Sequence, residues 1–415
     1  MKRVKGYFSF ENTMVLLAFF LPINEKCSTI LILIALVAFF IALSKNTNKL
    51  KWNQLLFILP VIFLAYFLST ILFSDSFEFK WIEQRASLLA FPILFLGFKW
   101  FSLKKIVKAF IVGCVVSYLL CFGYSIFNSV NIVDGHLIFE PLLNTSRGFF
   151  QAIVYEGNYF FGKHFSVLLQ TSYFGFYLTL ALSALLVYNK SLFQRKFLIL
   201  FGIILILGIL QTMGQAALFG LFILVFIIIS AYIKTKKAKV IAYFSIIGLV
   251  IITFYSQPRI KILVADLLSQ EVKLNPEGNY GVMLRLLSWD ATIDVILENP
   301  IVGVGVPNAQ IALNCKYEEK NYVYPLKKNL NSHNQFLQTT LEMGVFGLLL
   351  LLVVFYFLYK KMAEVGNNDK IFILSFTLLI GFNFLFEVYF MRYIGISVFS
   401  FFYCVCVTIC EKRRK

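Results

Sequence analysis

Long apolar runs, broken at short intervals by clusters of lysine and arginine, set the pattern of this chain. The runs fall at roughly 10–23, 28–43, 54–73, 86–101, 106–127, 165–188, 196–211, 214–232, 239–256, 334–359, 371–387 and 393–410. Many hold a window of roughly 20 residues almost free of charge, the length an α-helix needs to cross a hydrocarbon core. Short alternating segments, the signature of a membrane barrel, are not the pattern. The expected fold is an all-α polytopic membrane protein of about twelve transmembrane helices.

Two polar interruptions, roughly 128–164 and 257–331, are too long to be mere connectors, and long ordered loops tend to be functional. The second contains Ile260–Leu268 and Leu284–Leu297, both with helical periodicity. In the latter, Leu286, Trp289, Ile293, Ile296 and Leu297 fall on one face, and Arg285, Ser288, Thr292 and Asp294 point elsewhere. That suits a helix lying on the membrane or capping a cavity. Asn299-Pro300 ends it, and Gly303 and Gly305 then allow a tight turn or a close backbone approach. The expected organisation is one integral membrane domain: helices 1–9 over residues 1–256, a large, partly helical loop over 257–333 between helices 9 and 10, and helices 10–12 over 334–415.

Composition agrees. The 415 residues are 60% hydrophobic and only 14% charged, where globular proteins carry about a quarter charged residues. The mean hydropathy is +0.80. The formal charge of +17 raises nucleic acid as a partner, but the positive residues are scattered between spans and form no single face. They report topology instead. With the N-terminus inside, most of the 38 basic residues fall on inner segments: Lys2, Arg3 and Lys5, then 45–51, 99–108, 190–196, 234–239, 360–370 and Lys412–Lys415. Both termini are then expected in the cytoplasm, with 257–333 outside. Met1–Leu21 has the basic-then-apolar form of a signal peptide but no small-x-small cleavage site, and reads as an uncleaved first span. The seven cysteines form no disulfide or metal framework; only Cys27 and Cys315 fall in expected outer loops.

Candidate chemistry is sparse. His136, His164 and His333 are the three histidines, all on expected outer segments, and there is no HExxH, CxxC pair or Asp-x-Asp. Asp290 and Asp294 could share a helix face but lack a third ligand nearby, so no metal is expected. His333 opens a span, followed by Asn334 and Gln335. It reads either as a helix start at the headgroup level or as a general base, since a neutral imidazole with a pKa of about 6.5 can take a proton from a hydroxyl. Glu342, about 13 Å further along the helix axis, is a carboxylate inside an apolar span, hence a structural or functional polar contact and not a direct partner of His333. Arg285 is either a snorkelling charge or a bidentate grip for phosphate. Arg85, Arg147 and Arg392 carry the same two readings; several outer arginines around one cavity would dock a lipid pyrophosphate.

These residues together resemble the bacterial O-antigen ligase and polymerase family, GT-C-like membrane glycosyltransferases with a large periplasmic loop before a late span. The matching positions are Arg285 and Trp289, the Pro300-x-x-Gly303-x-Gly305 turn, then His333-Asn334-x-x-Leu337 with Gly344 and Gly347 inside the following helix. A weaker likeness lies at Thr171-Ser172-Tyr173-Phe174, where relatives often carry His-Pro-Ser-Tyr and this chain has Gln170-Thr171 before Ser172. Where relatives often have Ser-Arg, this chain has Gly214-Gln215. The resemblance implies a glycan donor on undecaprenyl pyrophosphate, transferred to a lipid A-core sugar by a ligase or to another repeat unit by a polymerase. It implies His333 and Arg285 as the catalytic pair, one for the acceptor hydroxyl and one for the pyrophosphate. Arg147, Arg85, Asn334 and Trp289 become candidates for substrate binding. It implies no cofactor, metal or nucleic acid, and a place in the bacterial inner membrane with the site facing the periplasm. A transporter of lipid-linked sugars is the alternative; it would show charged or broken helices near the midplane and an internal repeat, and neither is evident in the sequence.

Overall fold

The structure is a computed structural model and describes residues 9–45, 50, 53–74, 78–143, 157–255, 274–279 and 281–412. Its longer helices, in chain order, are α1 (Phe10–Phe20), α2 (Glu25–Lys45), α3 (Ile58–Leu72), α4 (Ser87–Leu96), α5 (Leu103–Ser129), α6 (Thr171–Tyr188) and α7 (Arg195–Gln211). They continue with α8 (Gln215–Tyr232), α9 (Lys236–Tyr255), α10 (Gly281–Glu298), α11 (Ala309–Glu319), α12 (Gln335–Lys361), α13 (Asn367–Phe384) and α14 (Tyr393–Lys412). Each apolar run picked out above overlaps one of these helices, because a chain in lipid must satisfy its own backbone groups within each span. Among the described residues, seven helical stretches are long and apolar enough to cross a membrane: those at α2, α3, α5, α6, α8, α12 and α14. The helices α1 and α4 are apolar but shorter, with 11 and 10 residues. The protein is an all-α polytopic membrane protein.

The chain forms two compact units, each assembled from separated segments. The first takes 1–51, 97–257 and 366–379. Within it α6 is almost wholly buried and packs against α5, α7 and α8, while α1 packs on α2 and α5. The expected outer loop after α5 contains a two-stranded hairpin, β1 (Val130–Val133) and β2 (His136–Phe139). Its turn is Asp134-Gly135, both left-handed, the short hairpin signal that the apolar pattern alone does not reveal.

The second unit takes 52–96, 258–365 and 380–415. Here α14 packs on α4, α3 packs on α12, and α10 lies between α12 and α11. A core of Met283, Leu287, Ala291, Val295, Leu313, Tyr317 and Leu341 joins α10, α11 and α12. Helix α10 leaves part of its expected apolar face exposed, as a helix lying on a membrane would. Its buried face is Met283, Leu287, Ser288, Ala291, Thr292 and Val295, whereas Ile293 and Leu297 are exposed. Ser288 and Thr292 can join it because their hydroxyls donate to the carbonyls of Leu284 and Ser288 one turn back. The expected helix at Ile260–Leu268 lies outside the described residues.

Candidate active site

The second unit holds the Pro-x-x-Gly-x-Gly turn and the His-Asn helix start, and they are parts of one construction. Helix α12 is broken at Gly344, which has φ 63° and ψ −161°. In an unbroken helix the Val345 N–H would go to the Leu341 carbonyl. Instead it donates to the carbonyl of Pro300 (2.9 Å), and the Leu341 carbonyl accepts the Val304 N–H (2.9 Å). The turn therefore supplies the backbone partners that the break removes. A Cβ at Gly344 would come within 2.0 Å of the Ile301 carbonyl oxygen, and one at Gly303 within 2.5 Å of the Leu341 oxygen. Both glycines are also left-handed, so side chains are excluded twice over. Ser69 of α3 completes the join, donating to the Glu342 carbonyl and accepting the Val306 N–H, both at 3.2 Å.

The break sits a few turns inside the helix mouth that carries His333. Asn334 is the N-cap of α12: its side-chain oxygen accepts the N–H groups of Phe336 (2.9 Å) and Leu337 (3.1 Å). Just before it, His333 is held left-handed at φ 45°, with its N–H donated to the Asn331 side chain (2.9 Å). Such a conformation costs a non-glycine residue free energy and persists only where its surroundings impose it.

Two residues far apart in sequence then converge on a third. Glu387, in the turn between α13 and α14, is mostly buried. One of its carboxylate oxygens lies 3.9 Å from Arg285 Nη2 of α10, and the other lies 4.0 Å from His333 Nδ1. Burial, and then the positive charges of Arg285 and Arg392, push the His333 pKa down to about 4. The imidazole is thus neutral at ordinary pH, with Nδ1 toward Glu387. The ring of Trp289, one turn beyond Arg285 on α10, lies against Phe386 at 6.3 Å. Arg285 Nε and Trp289 Nε1 are buried donors with no acceptor among the described residues. Unfilled donors of this kind, beside excess positive charge, favour an anion.

Of the residues singled out in the sequence, Arg285, Trp289 and His333 are brought together. Asn334 is adjacent, its side chain committed to the helix cap. Arg85 is a correction: it is 1% exposed, not at an open surface. Its guanidinium lies 3.4 Å from Glu342, donates to the Trp81 carbonyl (3.0 Å) and rests over the Tyr66 ring at 4.4 Å. Arg147 lies outside the described residues. Glu387 is not among the residues singled out in the sequence; its signal there is a lone carboxylate at the edge of an apolar run. Asp290 and Asp294 hold Lys320 between them, with Asp290 also accepting the Tyr322 hydroxyl. Among the described residues no group of three His, Cys, Asp or Glu side chains could hold a metal ion.

An arginine of α10 and a histidine at the mouth of α12 face one buried carboxylate in a polytopic membrane protein, and that defines the class. Residues 197–352 match the family model described as O-Antigen ligase, a span that includes Arg285, Trp289, the glycine turn and His333. Over 181 residues the chain is 27% identical to a Rickettsia conorii protein named as a polysaccharide ligase. That stretch covers 42% of this chain and 42% of the relative, so the chain spans well under half the length of the protein it matches. Over these stretches the chain is similar to the O-antigen ligase family model and to that polysaccharide ligase.

Proposed function

We propose that this protein transfers a glycan from undecaprenyl pyrophosphate to a hydroxyl of a lipid A-core acceptor, as an O-antigen ligase. It works in the bacterial inner membrane with the site on the periplasmic face and both termini in the cytoplasm. The observation that carries the reading is the convergence of Arg285 and His333 on Glu387. In this reading the nitrogen of His333 turned away from Glu387 takes the acceptor hydroxyl proton. The resulting oxygen nucleophile attacks the anomeric carbon, the bond from that carbon to the pyrophosphate oxygen breaks, and Arg285, with Arg392 beside it, meets the charge left on the pyrophosphate. Glu387 orients the imidazole and faces the imidazolium formed by the proton transfer. A bound pyrophosphate would also offset the cations that depress His333, so donor binding itself strengthens the base. The arginines do the work of charge neutralisation and no metal is assigned.

A lipid-linked sugar transporter is the second reading, and the broken α12 and the Arg85–Glu342 pair are features it would use. Here, however, the break is filled by the chain's own Pro300–Gly305 backbone, which supports a fixed site over a moving gate. The test is purified protein in proteoliposomes with undecaprenyl-pyrophosphate glycan and either lipid A core or a second repeat unit. Transfer to the core is expected. Addition to the repeat unit alone would make the protein a polymerase, and glycan crossing the bilayer without a new glycosidic bond would overturn both.

A further inference from the structure

The first turns of α12 carry four polar side chains at one helical face: Gln335, Gln338, Thr339 and Glu342. Positions i, i+3, i+4 and i+7 share a face, and all four are buried. Such a stripe inside a membrane span is costly unless every group is used. Here the groups are used in two directions. Toward one side, the Gln338 amide oxygen accepts from the Ser332 hydroxyl (2.9 Å) and the Ser332 N–H (3.3 Å). The Ser332 hydroxyl also meets the Asn334 carbonyl (2.9 Å), closing the loop around His333. Toward the other side, the Gln335 amide oxygen accepts the N–H of Phe390 (2.8 Å), within the turn that carries Glu387 and Arg392.

The remaining bonds fix which way each amide points. Gln338 donates its nitrogen to Glu342 (2.9 Å), and Gln335 donates its nitrogen to Thr339 (2.8 Å). Thr339 is bonded to the Tyr66 hydroxyl (3.2 Å), and Tyr66 lies under the guanidinium of Arg85, which neutralises Glu342. Both glutamines therefore present their oxygens to the loops because their nitrogens are already held. One helix face thereby sets two backbone segments, 331–334 and 387–392, against each other.

We propose that Gln335 and Gln338 are positioning residues for the site, with Glu342 of the buried Arg85 pair holding the Gln338 amide and Thr339 holding the Gln335 amide. Together they hold His333 in its left-handed conformation opposite Glu387. This rests on the reading of His333 as the working base, but its test needs no substrate. The probe is carbethoxylation of His333 by diethyl pyrocarbonate as a function of pH, located by peptide mass spectrometry, since only the neutral ring reacts. The charged groups facing the ring are Arg285, Glu387 and Arg392. In the wild-type protein the labelling midpoint is expected near the depressed value of about 4. In Gln338→Met the Ser332 loop is released, and the midpoint should climb toward the ordinary value of about 6.5. Ser332→Ala, which leaves the buried pair intact, should move it the same way and serves if Gln338→Met does not fold. In the transfer assay both variants should lower kcat by about 100-fold, the cost of roughly 1 Å of misplacement, with the KM for donor changed less than about threefold. Folded variants with an unmoved midpoint would overturn the inference. A wild-type protein that transfers nothing would instead remove the proposed function and leave the labelling result standing.

Discussion

Helix α10 carries two charged clusters, and they are built to opposite rules. At its middle, Asp290 and Asp294 close on Lys320, with the Tyr322 hydroxyl on Asp290. Burial alone would raise the Asp290 pKa, but the hydrogen bonds from Lys320 and Tyr322 outweigh it and hold the carboxyl below its ordinary value. One turn before, Arg285 and His333 stand about hydrogen-bond distance plus an ångström from Glu387, at 3.9 and 4.0 Å. Positive charge there exceeds negative, and two buried donors lack acceptors among the described residues. A cluster whose bonds are all made can only hold the fold together. A cluster left short of anions has room for one. The same helix thus offers a structural clasp and a receptive site, and contact distance separates them where residue type does not.

The comparison can be broken from the larger effect to the smaller. His333→Ala should reduce glycan transfer by about 1,000-fold, within the range for loss of a general base, while the protein still runs as the folded species by size-exclusion chromatography. Full transfer by such a protein would remove the proposed base. The pH profile comes next. Since the folded His333 pKa is below the unfolded one, the unfolded chain binds the extra proton between about pH 4 and 6.5. Folding stability should therefore fall as pH drops through that window and gain nothing from this group above it. The acid limb of kcat/KM should likewise lie near 4 in the free enzyme. Arg285→Met, which deletes one of the depressing charges, should move that limb upward; an unchanged limb would mean that Arg285 does not sense the ring. Smallest is the clasp. Lys320→Met should cost stability by up to about 1 kcal/mol, because the pair is partly exposed, and leave transfer within about twofold. A large loss of transfer there would erase the distinction between the clusters.

Much of the architecture was legible along the chain. Apolar runs of spanning length report helices directly, since lipid demands that each segment satisfy its own backbone. The turn at Pro300, Gly303 and Gly305 was legible as a turn, and His333-Asn334 as a helix start. The buried face of α10 was not legible because apolarity predicts contact with lipid as readily as contact with protein: Ile293 and Leu297 are exposed, and Ser288 and Thr292 are not. Arg85 looked like a surface cation because its partner, Glu342, is 257 positions away. Glu387 is likewise 54 positions from His333 and 102 from Arg285 in the chain, so nothing local marks it.

What the sequence by itself determined is what acts over a few residues: helix-forming apolar runs, the cap at Asn334, left-handed glycines and the order of the motifs. Only the tertiary structure decided that Gly344 breaks α12 where the Pro300 turn can mend it, and that Arg285 and His333 meet at Glu387. It also decided that Gln335 and Gln338 aim their amides at two different loops. The physical reason is the same in each case. Periodicity and capping are local energies written into neighbouring residues, whereas an ion pair or a shared backbone hydrogen bond forms only once packing brings its two partners together.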